Sequence, residues 1–415
     1  MLSEFIRKWR GLQKLARTAG WHATLRWAWR RWLNGRPPPG AIDVFAHYRF
    51  LAPATVHSPE NDQPPNTLNW FIPDFNVGSG GHLNIFRMIW NLEQKGYTSR
   101  IIIVRPHQHS TGLDARNEIR QHFFPLQADV FVGLEQVPSA EFAIATGWDT
   151  AYAVRNAQSV AHRLYFVQDY EPHFYPVGSE STFAENTYRM GFFGITAGKW
   201  LADKLATEYG MHTHPVGFGV EHDRYQPTPR REPHIKRVFF YARPPTPRRA
   251  FELGLLVLQA VSELQPGTEF VLAGWDTAAY HIPFPHLACG TVGLNELPDL
   301  YSQCDVALVL SLTNVSLLPL ELMACGCAVV SNKGANVEWL LGEGVVALAD
   351  SDPQSMAACI STLLANDGIR RLQTERARQY AASLNWDSVA DEFVEGLHAA
   401  RAVASSSNKG VACAA

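Results

Sequence analysis

The sequence has no apolar run long enough to cross a membrane. A spanning helix needs about 20 consecutive apolar residues, and no stretch of the 415 residues approaches that length. Cysteine is also scarce, and the six cysteines form no Cys-x-x-Cys pair. No cleavable signal peptide is evident. These absences predict a reducing, cytoplasmic location and no structural metal site.

The composition is that of a globular protein. Hydrophobic residues make up 46% of the chain and aromatic residues 11%, which is enough to build sizeable cores and excludes a disordered chain. A length of 415 residues exceeds what one ordinary core supports. We therefore expect two domains.

Positive charge is concentrated at one end. The net charge is -3 overall, yet residues 1 to 36 contain nine Lys or Arg against Glu4 alone, together with five of the twelve tryptophans. Such a segment suits an interfacial helix on an anionic membrane surface. A helix packed on the protein's own surface and an arm for nucleic acid are the alternatives. We interpret residues 1 to 40, which end in Pro37–Pro39, as an amphipathic leader that binds a membrane and not a nucleic acid.

Alternating strand and helix patterns follow a Pro- and Asn-rich stretch. LNWFIPDF predicts a strand, the glycine loop NVGSGG follows, and residues 82 to 95 have the apolar period of a helix. Further strands are predicted at RIIIV (100 to 104), FAIAT (142 to 146) and LYFVQD (164 to 169). This alternation predicts a doubly wound parallel sheet over residues 66 to 222.

The glycine loop does not match a dinucleotide-binding fingerprint. That fingerprint requires Gly at the sixth position of G-x-G-x-x-G, and counting from Gly78 this position is Leu83. The pattern therefore disfavours a dehydrogenase.

A second alternation begins after a polar, proline-rich linker at 218 to 235. Its predicted strands are VFFYAR (238 to 243), EFVLAG (269 to 274), DVALVL (305 to 310) and AVVSN. Residues 235 to 385 thus form a second doubly wound domain. Ligands of such sheets bind beyond the carboxyl ends of the strands, so two facing domains would enclose a cleft.

Three arginines gather at one strand-to-helix turn of this second domain. Arg243 ends the first strand, and Arg248 and Arg249 open the next helix. Single surface arginines are usually solvated, but the planar guanidinium group also suits bidentate phosphate recognition. The grouping indicates a diphosphate site.

Glu321 lies in the run LLPLELMAC, which is otherwise apolar on all sides. A helix that is apolar all round is buried, and a buried charge requires a partner. Ser316 is a candidate N-cap of this helix, whose free N–H groups would favour an anion. Two interpretations of Glu321 stay open: a structural ion pair, or a carboxylate for a ligand's hydroxyl groups.

Several stretches resemble the retaining nucleotide-sugar glycosyltransferases of the GT-B fold, family 4. YARPPTPR is similar to their Arg-x4-Lys phosphate element, and SLTNVSLLPLELMACGCAVV to their signature of two glutamates eight residues apart. FGVEHDRYQP resembles their interdomain segment, and NWDSVADEF the start of their C-terminal crossing helix. WFIPDFNVGSGGHLNIFRM and YFVQDYEPHFYP more narrowly resemble the bacterial surface-glycan rhamnosyltransferases typified by WsaF.

This resemblance implies an α/β protein of the GT-B fold, with two facing Rossmann-like domains around a cleft. Residues 386 to 402 would form the helix that crosses back, and 403 to 415 a disordered tail. The implied reaction moves a sugar from a nucleoside diphosphate, best dTDP-rhamnose, onto a growing cell-surface glycan, without a metal or other cofactor. The basic leader favours a lipid-linked or membrane-proximal acceptor.

The expected site residues form three groups. Asp169, His82 and Glu171 are the expected catalytic residues, since acids after a strand can orient or deprotonate an acceptor hydroxyl; a turn acid is the alternative for Asp169. The expected donor and diphosphate contacts are Arg243, Arg248, Arg249, Gly80, Gly81, Thr313, Asn314, Val315, Ser316 and Leu317. The expected nucleoside contacts are Glu321, Gly274 and Val292.

Two positions depart from the family pattern. The first of the paired glutamates falls at Thr313, and Gln168-Asp169 stands where many relatives have His-Asp. A sugar-nucleotide epimerase of the same fold and a non-catalytic glycan-binding or scaffold subunit are the alternative functions.

Overall fold

The structure is a computed structural model that describes residues 43–52 and 63–412. The chain divides into two compact units, residues 1–53 and 54–415. In the first unit the described residues form a short helix α1 (Val44–His47), with Asp43 as its N-cap, and a 3-10 turn (Arg49–Leu51). The predicted membrane-binding leader, residues 1 to 40, lies outside the described residues.

The first domain of the second unit contains a parallel sheet of seven strands in the order β3-β2-β1-β4-β5-β6-β7. The strands are β1 (Thr67–Pro73), β2 (Thr98–Val104), β3 (Asp129–Val132), β4 (Ala140–Ala145), β5 (Val160–Val167), β6 (Phe193–Ala197) and β7 (Thr213–Val216). The direction of winding reverses between β1 and β4. A reversal of this kind opens a crevice at the carboxyl ends of the strands.

Five helices connect these strands. They are α2 (Gly80–Gln94), α3 (Gly112–His122), α4 (Trp148–Asn156), α5 (Ser179–Thr187) and α6 (Lys199–Tyr209). The predicted helix after the glycine loop is present as α2, which buries Phe86, Ile89 and Leu92 against the sheet.

The second domain has a parallel sheet of six strands in the order β10-β9-β8-β11-β12-β13, which reverses between β8 and β11. The strands are β8 (Arg237–Tyr241), β9 (Glu269–Ala273), β10 (His286–Gly290), β11 (Val306–Val309), β12 (Ala328–Asn332) and β13 (Ala347–Ala349). The helices are α7 (Phe251–Leu264), α8 (Leu297–Ser302), α9 (Leu318–Ala324), α10 (Ala335–Glu338), α11 (Pro353–Ala365) and α12 (Asp367–Ser383).

The prediction of two doubly wound parallel-sheet domains is confirmed. The central strands are buried on both faces, which explains their continuous Val, Ile, Leu and Phe runs. Strands β3, β6, β7, β10 and β13 were not predicted. Four of them, β3, β7, β10 and β13, lie at sheet edges, where strands bury fewer side chains or are short. The interior strand β6 is buried throughout, but Gly194 and Thr196 interrupt the apolar pattern of its five residues. One apolar cluster continues from the first domain into the second through Phe218 and Val220.

Helix α13 (Trp386–Ala412) packs on the first domain after the end of the second. The ring of its buried Phe393 lies 5.5 Å from both Trp70 and Phe166 of the first sheet. The predicted crossing from 386 is therefore present, whereas the predicted disordered tail is wrong for residues 403 to 412, which continue the helix. Val403 packs on the same core, and the Ser405 hydroxyl donates to the carbonyl oxygen of Arg401.

Among the described residues, no helix has both the length and the apolar character needed to cross a bilayer.

Candidate functional site

Most of the predicted site residues follow the carboxyl ends of strands at or near the two winding reversals. In the first domain, the glycine loop follows β1 and Gln168-Asp169 follows β5. In the second, the arginine turn follows β8 and the loop of residues 311–317 follows β11. The fold therefore brings most of the predicted residues to the two facing sheet edges.

Two of the three arginines are held by their own domain. The Nε of Arg243 donates to the Thr246 hydroxyl at 3.0 Å, and its Nη1 donates to the Tyr241 hydroxyl at 3.3 Å. Arg249 donates from Nη1 to the Ser311 hydroxyl at 2.6 Å. Burial lowers the pKa of Arg249, which also lies within the field of Arg243 and Arg248. Because Arg243 and Arg249 are held by neutral groups, this edge carries an excess of positive charge.

Arg248 reaches across to the first domain. Its guanidinium carbon lies 4.1 Å from the Phe174 ring centre, and its Nε lies 3.5 Å from Asp169 Oδ2. That buried Nε has no hydrogen-bond partner among the described residues. The turn ends at Ala250, which has a φ of +48°, a left-handed conformation that is uncommon for a residue with a side chain. Strain of this kind tends to occur at functional sites.

Asp169 joins the two domains. Its Oδ2 accepts a hydrogen bond from the Thr313 hydroxyl at 2.9 Å, and its Oδ1 accepts one from the backbone N–H of Asn314 at 2.7 Å. Thr313, where the family pattern has a glutamate, thus contacts the acid of the opposite domain. In this arrangement a glutamate at 313 would place a second carboxylate beside Asp169, and the Thr313 hydroxyl avoids that like-charge repulsion.

Asn314 fixes the same loop to two strand ends. Its side-chain amide donates to the carbonyl oxygen of Gln168 at 3.1 Å and to that of Ala197 at 2.8 Å, and its Oδ1 accepts from the Trp339 indole at 2.9 Å. Asn314 is only 1% exposed. The cleft is therefore closed at its centre, by a buried and satisfied polar network.

The Trp339 ring also packs on Gly198 of the first domain. Gly198 has a φ of +88°, and a Cβ at this position would lie 2.4 Å from the Trp339 ring. Only glycine fits both the backbone and the space. The sequence analysis did not identify Gly198 or Trp339, since nothing in either local sequence indicates a partner in the other domain.

Gly80 and Gly81 form the exposed first turn of α2. A side chain at Gly80 would meet nothing within 4 Å, and the Gly81 carbonyl accepts from Gln168 Nε2 at 3.3 Å. The start of this 15-residue helix is thus an open, positively polarised surface beside Gln168.

His82 is held within the first domain. Its Nδ1 lies 2.9 Å from the Ser79 hydroxyl, and its Nε2 lies 3.2 Å from the carbonyl oxygen of Pro73. Burial lowers the pKa of His82. These contacts describe a neutral imidazole that supports the glycine loop, and they offer no free nitrogen for proton transfer.

Glu171 is likewise turned into the first domain. Its Oε2 accepts from the Trp148 N–H at 2.8 Å, at the start of α4, and its Oε1 accepts from the Tyr165 hydroxyl at 2.5 Å. Burial raises the pKa of this carboxyl to about 8. The geometry gives Glu171 the part of a helix anchor, so its predicted contact with an acceptor has no support here.

The N-cap of α9 is Leu317, not Ser316, and no side chain caps the helix. Val315 is 3% exposed, and its N–H donates to the Asn336 carbonyl at 3.1 Å. Asn336 in turn donates to the carbonyl oxygens of Ser311 and Thr313. Ser316 and Leu317 are half-buried beside this braced loop.

Glu321 forms no ion pair within 4 Å among the described residues. The Tyr225 hydroxyl donates to it, and burial raises the pKa of its carboxyl to about 7 against the opposing field of Arg87. Arg87 itself pairs with Glu221 at 2.5 Å. The structural ion pair considered for Glu321 is therefore not formed, because the nearby cation Arg87 pairs with Glu221 instead. The half-buried Glu321 carboxyl has the neutral Tyr225 hydroxyl as its partner.

Gly274 and Val292 follow two adjacent strands, β9 and β10. The Gly274 N–H donates to the Gly290 carbonyl at 2.7 Å, and its φ of +121° requires glycine. Val292 is half-buried. Trp275, which the sequence analysis did not identify, follows Gly274 and is 42% exposed, with the Arg243 guanidinium carbon 5.7 Å from its ring centre.

Among the described residues, no group of three or more His, Cys, Asp or Glu side chains is arranged to hold a metal ion. The sequence contains one Asp-x-Asp triplet, residues 350 to 352. Asp352 caps α11 by accepting from the N–H of Gln354 and Ser355, and Asp350 lies 3.4 Å from the Lys333 amine. This triplet has structural contacts.

Comparisons with known proteins identify relatives of both domains. The family model described as the WsaF N-terminal domain matches residues 77–196, and that of the WsaF C-terminal domain matches residues 236–361. The O-antigen biosynthesis protein RfbC of Myxococcus xanthus is 33% identical over 369 residues, which cover 84% of this chain and 28% of that protein. The chain thus spans less than a third of this relative's length.

Solved structures share the two-domain fold at low sequence identity. Sucrose-phosphate synthase from Thermosynechococcus elongatus gives a TM-score of 0.62 at 13% identity, covering 81% of this chain and 99% of that one. HepE of Anabaena in complex with UDP-glucose gives a TM-score of 0.62 at 15% identity, covering 80% and 99%. The fold is GT-B. Because the two family models together match more than half of the residues, in the order of the two domains, this chain belongs to the WsaF family.

Proposed function

We propose that this protein is a glycosyltransferase of glycan biosynthesis that uses a nucleoside-diphosphate sugar. The observation that carries the proposal is the convergence of Arg243, Arg248 and Arg249 on the closed cleft. Its charge suits a diphosphate leaving group. Membership of the WsaF family and similarity to an O-antigen biosynthesis protein support the same function.

Different site residues would contact different parts of the donor. Arg243 and Arg248 would hold the diphosphate, with the exposed start of α2 at Gly80 and Gly81 facing it from the other domain. Glu321, which forms no ion pair with the residues that the structure describes, would accept hydrogen bonds from the ribose hydroxyl groups. Stabilisation of the departing diphosphate would then come from arginines and helix N–H groups, and this is why we propose a metal-independent reaction.

In the transfer, the bond between the sugar's C1 and the diphosphate oxygen breaks with its electron pair going to the diphosphate. An acceptor hydroxyl oxygen forms the new bond to C1. Its proton passes to the leaving phosphate or to Asp169, which Thr313 and Asn314 hold at the centre of the cleft. Asp169 thereby connects acceptor chemistry with closure of the two domains.

For the finer identity we propose dTDP-rhamnose as donor and a growing, lipid-linked cell-surface glycan as acceptor. The donor follows from the resemblance to surface-glycan rhamnosyltransferases. The acceptor follows from the basic, tryptophan-rich leader, which would bind an anionic membrane surface from the cytoplasmic side.

Thermal stabilisation by nucleotides tests the proposal, since a ligand that binds the native state raises the melting temperature. We would compare dTDP, UDP and GDP, with and without attached rhamnose, in EDTA. A shift with dTDP-rhamnose that is lost in Arg243→Ala is the expected result. A shift that appears without EDTA and is absent in EDTA would contradict metal independence.

Two outcomes would redirect the assignment. If no nucleotide stabilises the protein, the scaffold function replaces the enzyme. If an altered sugar nucleotide forms without any acceptor, the chain is an epimerase of the same fold.

A further inference from the structure

Trp275 stands at the rim of the proposed donor site, with the Arg243 guanidinium group over its ring and much of the side chain exposed. Its side chain is 42% exposed, and its indole N–H has no hydrogen-bond partner among the described residues. A large aromatic side chain usually gains stability by burial. An exposed one in this place has surface available for a ligand.

The position of Trp275 in the fold connects it to the donor. Strands β8, β9 and β10 are neighbours in the sheet, and their carboxyl ends bear Arg243, Trp275 and Val292 respectively. The Arg243 guanidinium carbon lies 5.7 Å from the Trp275 ring centre. If Arg243 holds the diphosphate, the nucleoside of the same donor would lie within reach of this ring.

The backbone beneath the ring is firmly held. A Cβ on Gly274 would lie 2.5 Å from the Tyr241 ring, so the chain runs directly against Tyr241. Further along the loop, the Tyr280 ring packs on Phe251 at 4.8 Å and the Tyr280 N–H donates to the Thr277 carbonyl. Anchors on both sides present the indole in advance of binding, which lowers the entropy cost of a contact.

We propose that Trp275 is the nucleobase platform of the donor site, on which the planar base of the nucleoside diphosphate stacks. This inference rests on the proposed function and names the part of the donor that the arginines do not contact. Bases stack on aromatic side chains regardless of their identity, so Trp275 contributes affinity for the nucleoside. Choice among bases would fall to the backbone groups around Gly274 and Val292.

Calorimetric titration of the full chain with UDP, dTDP and inorganic pyrophosphate tests this inference. Because stacking contributes about 1–3 kcal/mol per base, Trp275→Ala should weaken binding of both nucleotides on the order of tenfold to hundredfold. Pyrophosphate binding should not change. Trp275→Phe keeps an aromatic face and should retain most of the affinity.

Two controls separate this role from the others. Leu287→Ala removes an apolar side chain that is 58% exposed on the neighbouring strand β10, and it should bind as wild type. Trp275→Leu keeps an apolar side chain without the aromatic face, so it should bind the nucleotides as weakly as Trp275→Ala does. If Trp275→Ala does not fold, Trp275→Leu replaces it in the test.

The opposing outcomes are distinct. If Trp275→Ala and Trp275→Leu bind both nucleotides as wild type does, the platform is refuted while the proposed function stands. If these variants lose affinity for pyrophosphate by the same factor as for the nucleotides, Trp275 acts only by positioning Arg243, and the inference is overturned. If wild type binds pyrophosphate but no nucleotide, both the platform and the proposed function fail.

Discussion

Replacing Gly198 by alanine should disrupt closure of the cleft. The new methyl group would lie 2.4 Å from the Trp339 ring, well inside contact distance, and the ring would have to move. Movement of Trp339 would break its 2.9 Å hydrogen bond to Asn314, the side chain that ties the donor loop to two strand ends of the first domain. A single methyl group therefore acts on the whole interdomain network.

The expected cost has two parts. Gly198 has a φ of +88° and a ψ of 164°, and placing a side-chain-bearing residue in this region costs about 1–3 kcal/mol. Loss of the indole hydrogen bond adds about 1 kcal/mol, and the displaced ring adds a packing loss. We expect Gly198→Ala to lower the free energy of unfolding by about 3 kcal/mol or more.

A double-mutant cycle separates the two parts. Trp339→Ala removes the ring, so Gly198→Ala should lower the free energy of unfolding by about 1–2 kcal/mol less in that background than in the wild type. The backbone strain at position 198 is the same in both backgrounds and cancels in the difference. Urea unfolding followed by circular dichroism gives the free energies. Gly210→Ala is a matched control at the other end of α6: it has a φ of +66°, and a Cβ there meets nothing within 4 Å. It should cost only about 1–2 kcal/mol and show no coupling to Trp339.

Additive effects of Gly198→Ala and Trp339→Ala would refute the packing argument, because they would mean that the methyl group and the ring do not meet. A radius of gyration in solution that is unchanged in Gly198→Ala would refute the link to closure.

Three further predictions concern other contacts of the cleft. Arg87→Met should lower the free energy of unfolding by about 3 kcal/mol, since it removes the buried cation that pairs with Glu221 and acts on Glu321 through its field, leaving Glu221 with the more exposed Arg224. Urea unfolding measures this, and a cost below that of the exposed-pair variant Lys199→Met would contradict it. Glu321→Gln should flatten the pH dependence of stability. The folded-state pKa of Glu321, about 7, lies above the ordinary value of 4.5, so the contribution of this group to stability is fully present below about pH 4.5 and is lost as pH rises through 7. Melting curves between pH 5 and 8 test this, and parallel profiles for the two proteins would count against it. Thr313→Val removes the hydroxyl that donates to Asp169 while keeping the side-chain shape, and it should raise the KM for the donor several-fold with little change in melting temperature; an unchanged KM would show that this hydrogen bond does not hold the donor loop.

The sequence predicted the fold class and left the edges of the sheets unresolved. Continuous apolar runs such as RIIIV and DVALVL identify strands buried on both faces, and their alternation with helical periods dictates parallel, doubly wound sheets. Strands β3, β7, β10 and β13 were not predicted because edge strands are short or bury fewer side chains and therefore carry a weaker pattern. The interior strand β6 was not predicted either, because Gly194 and Thr196 interrupt its short apolar run. The prediction of a disordered tail was wrong for residues 403 to 412 because small and polar residues give no clear helical pattern there. The helix continues through them, and Val403 packs on the core of the first domain.

The candidate site divides in the same way. Arg243, Arg248, Arg249, Thr313 and Glu321 could be selected from sequence because each follows a strand whose carboxyl end faces the cleft. The roles of the remaining side chains depend on distances that no local pattern encodes. Glu171 and His82 have the right chemistry for catalysis, but their polar atoms are taken by Tyr165, Trp148, Ser79 and Pro73.

By itself the sequence determined that the chain forms two parallel sheets, which loops follow their strands, and the chemical character of the residues in those loops. These properties follow from periodicity and charge, which are local. Only the tertiary structure decided that Asp169 meets Thr313 and Asn314, that Trp339 occupies the space above Gly198, and that the exposed Trp275 ring lies beside Arg243. Each of these contacts joins residues more than 30 positions apart, so it exists only in the folded chain, and the contacts of Asp169 and Trp339 also require that the two domains meet.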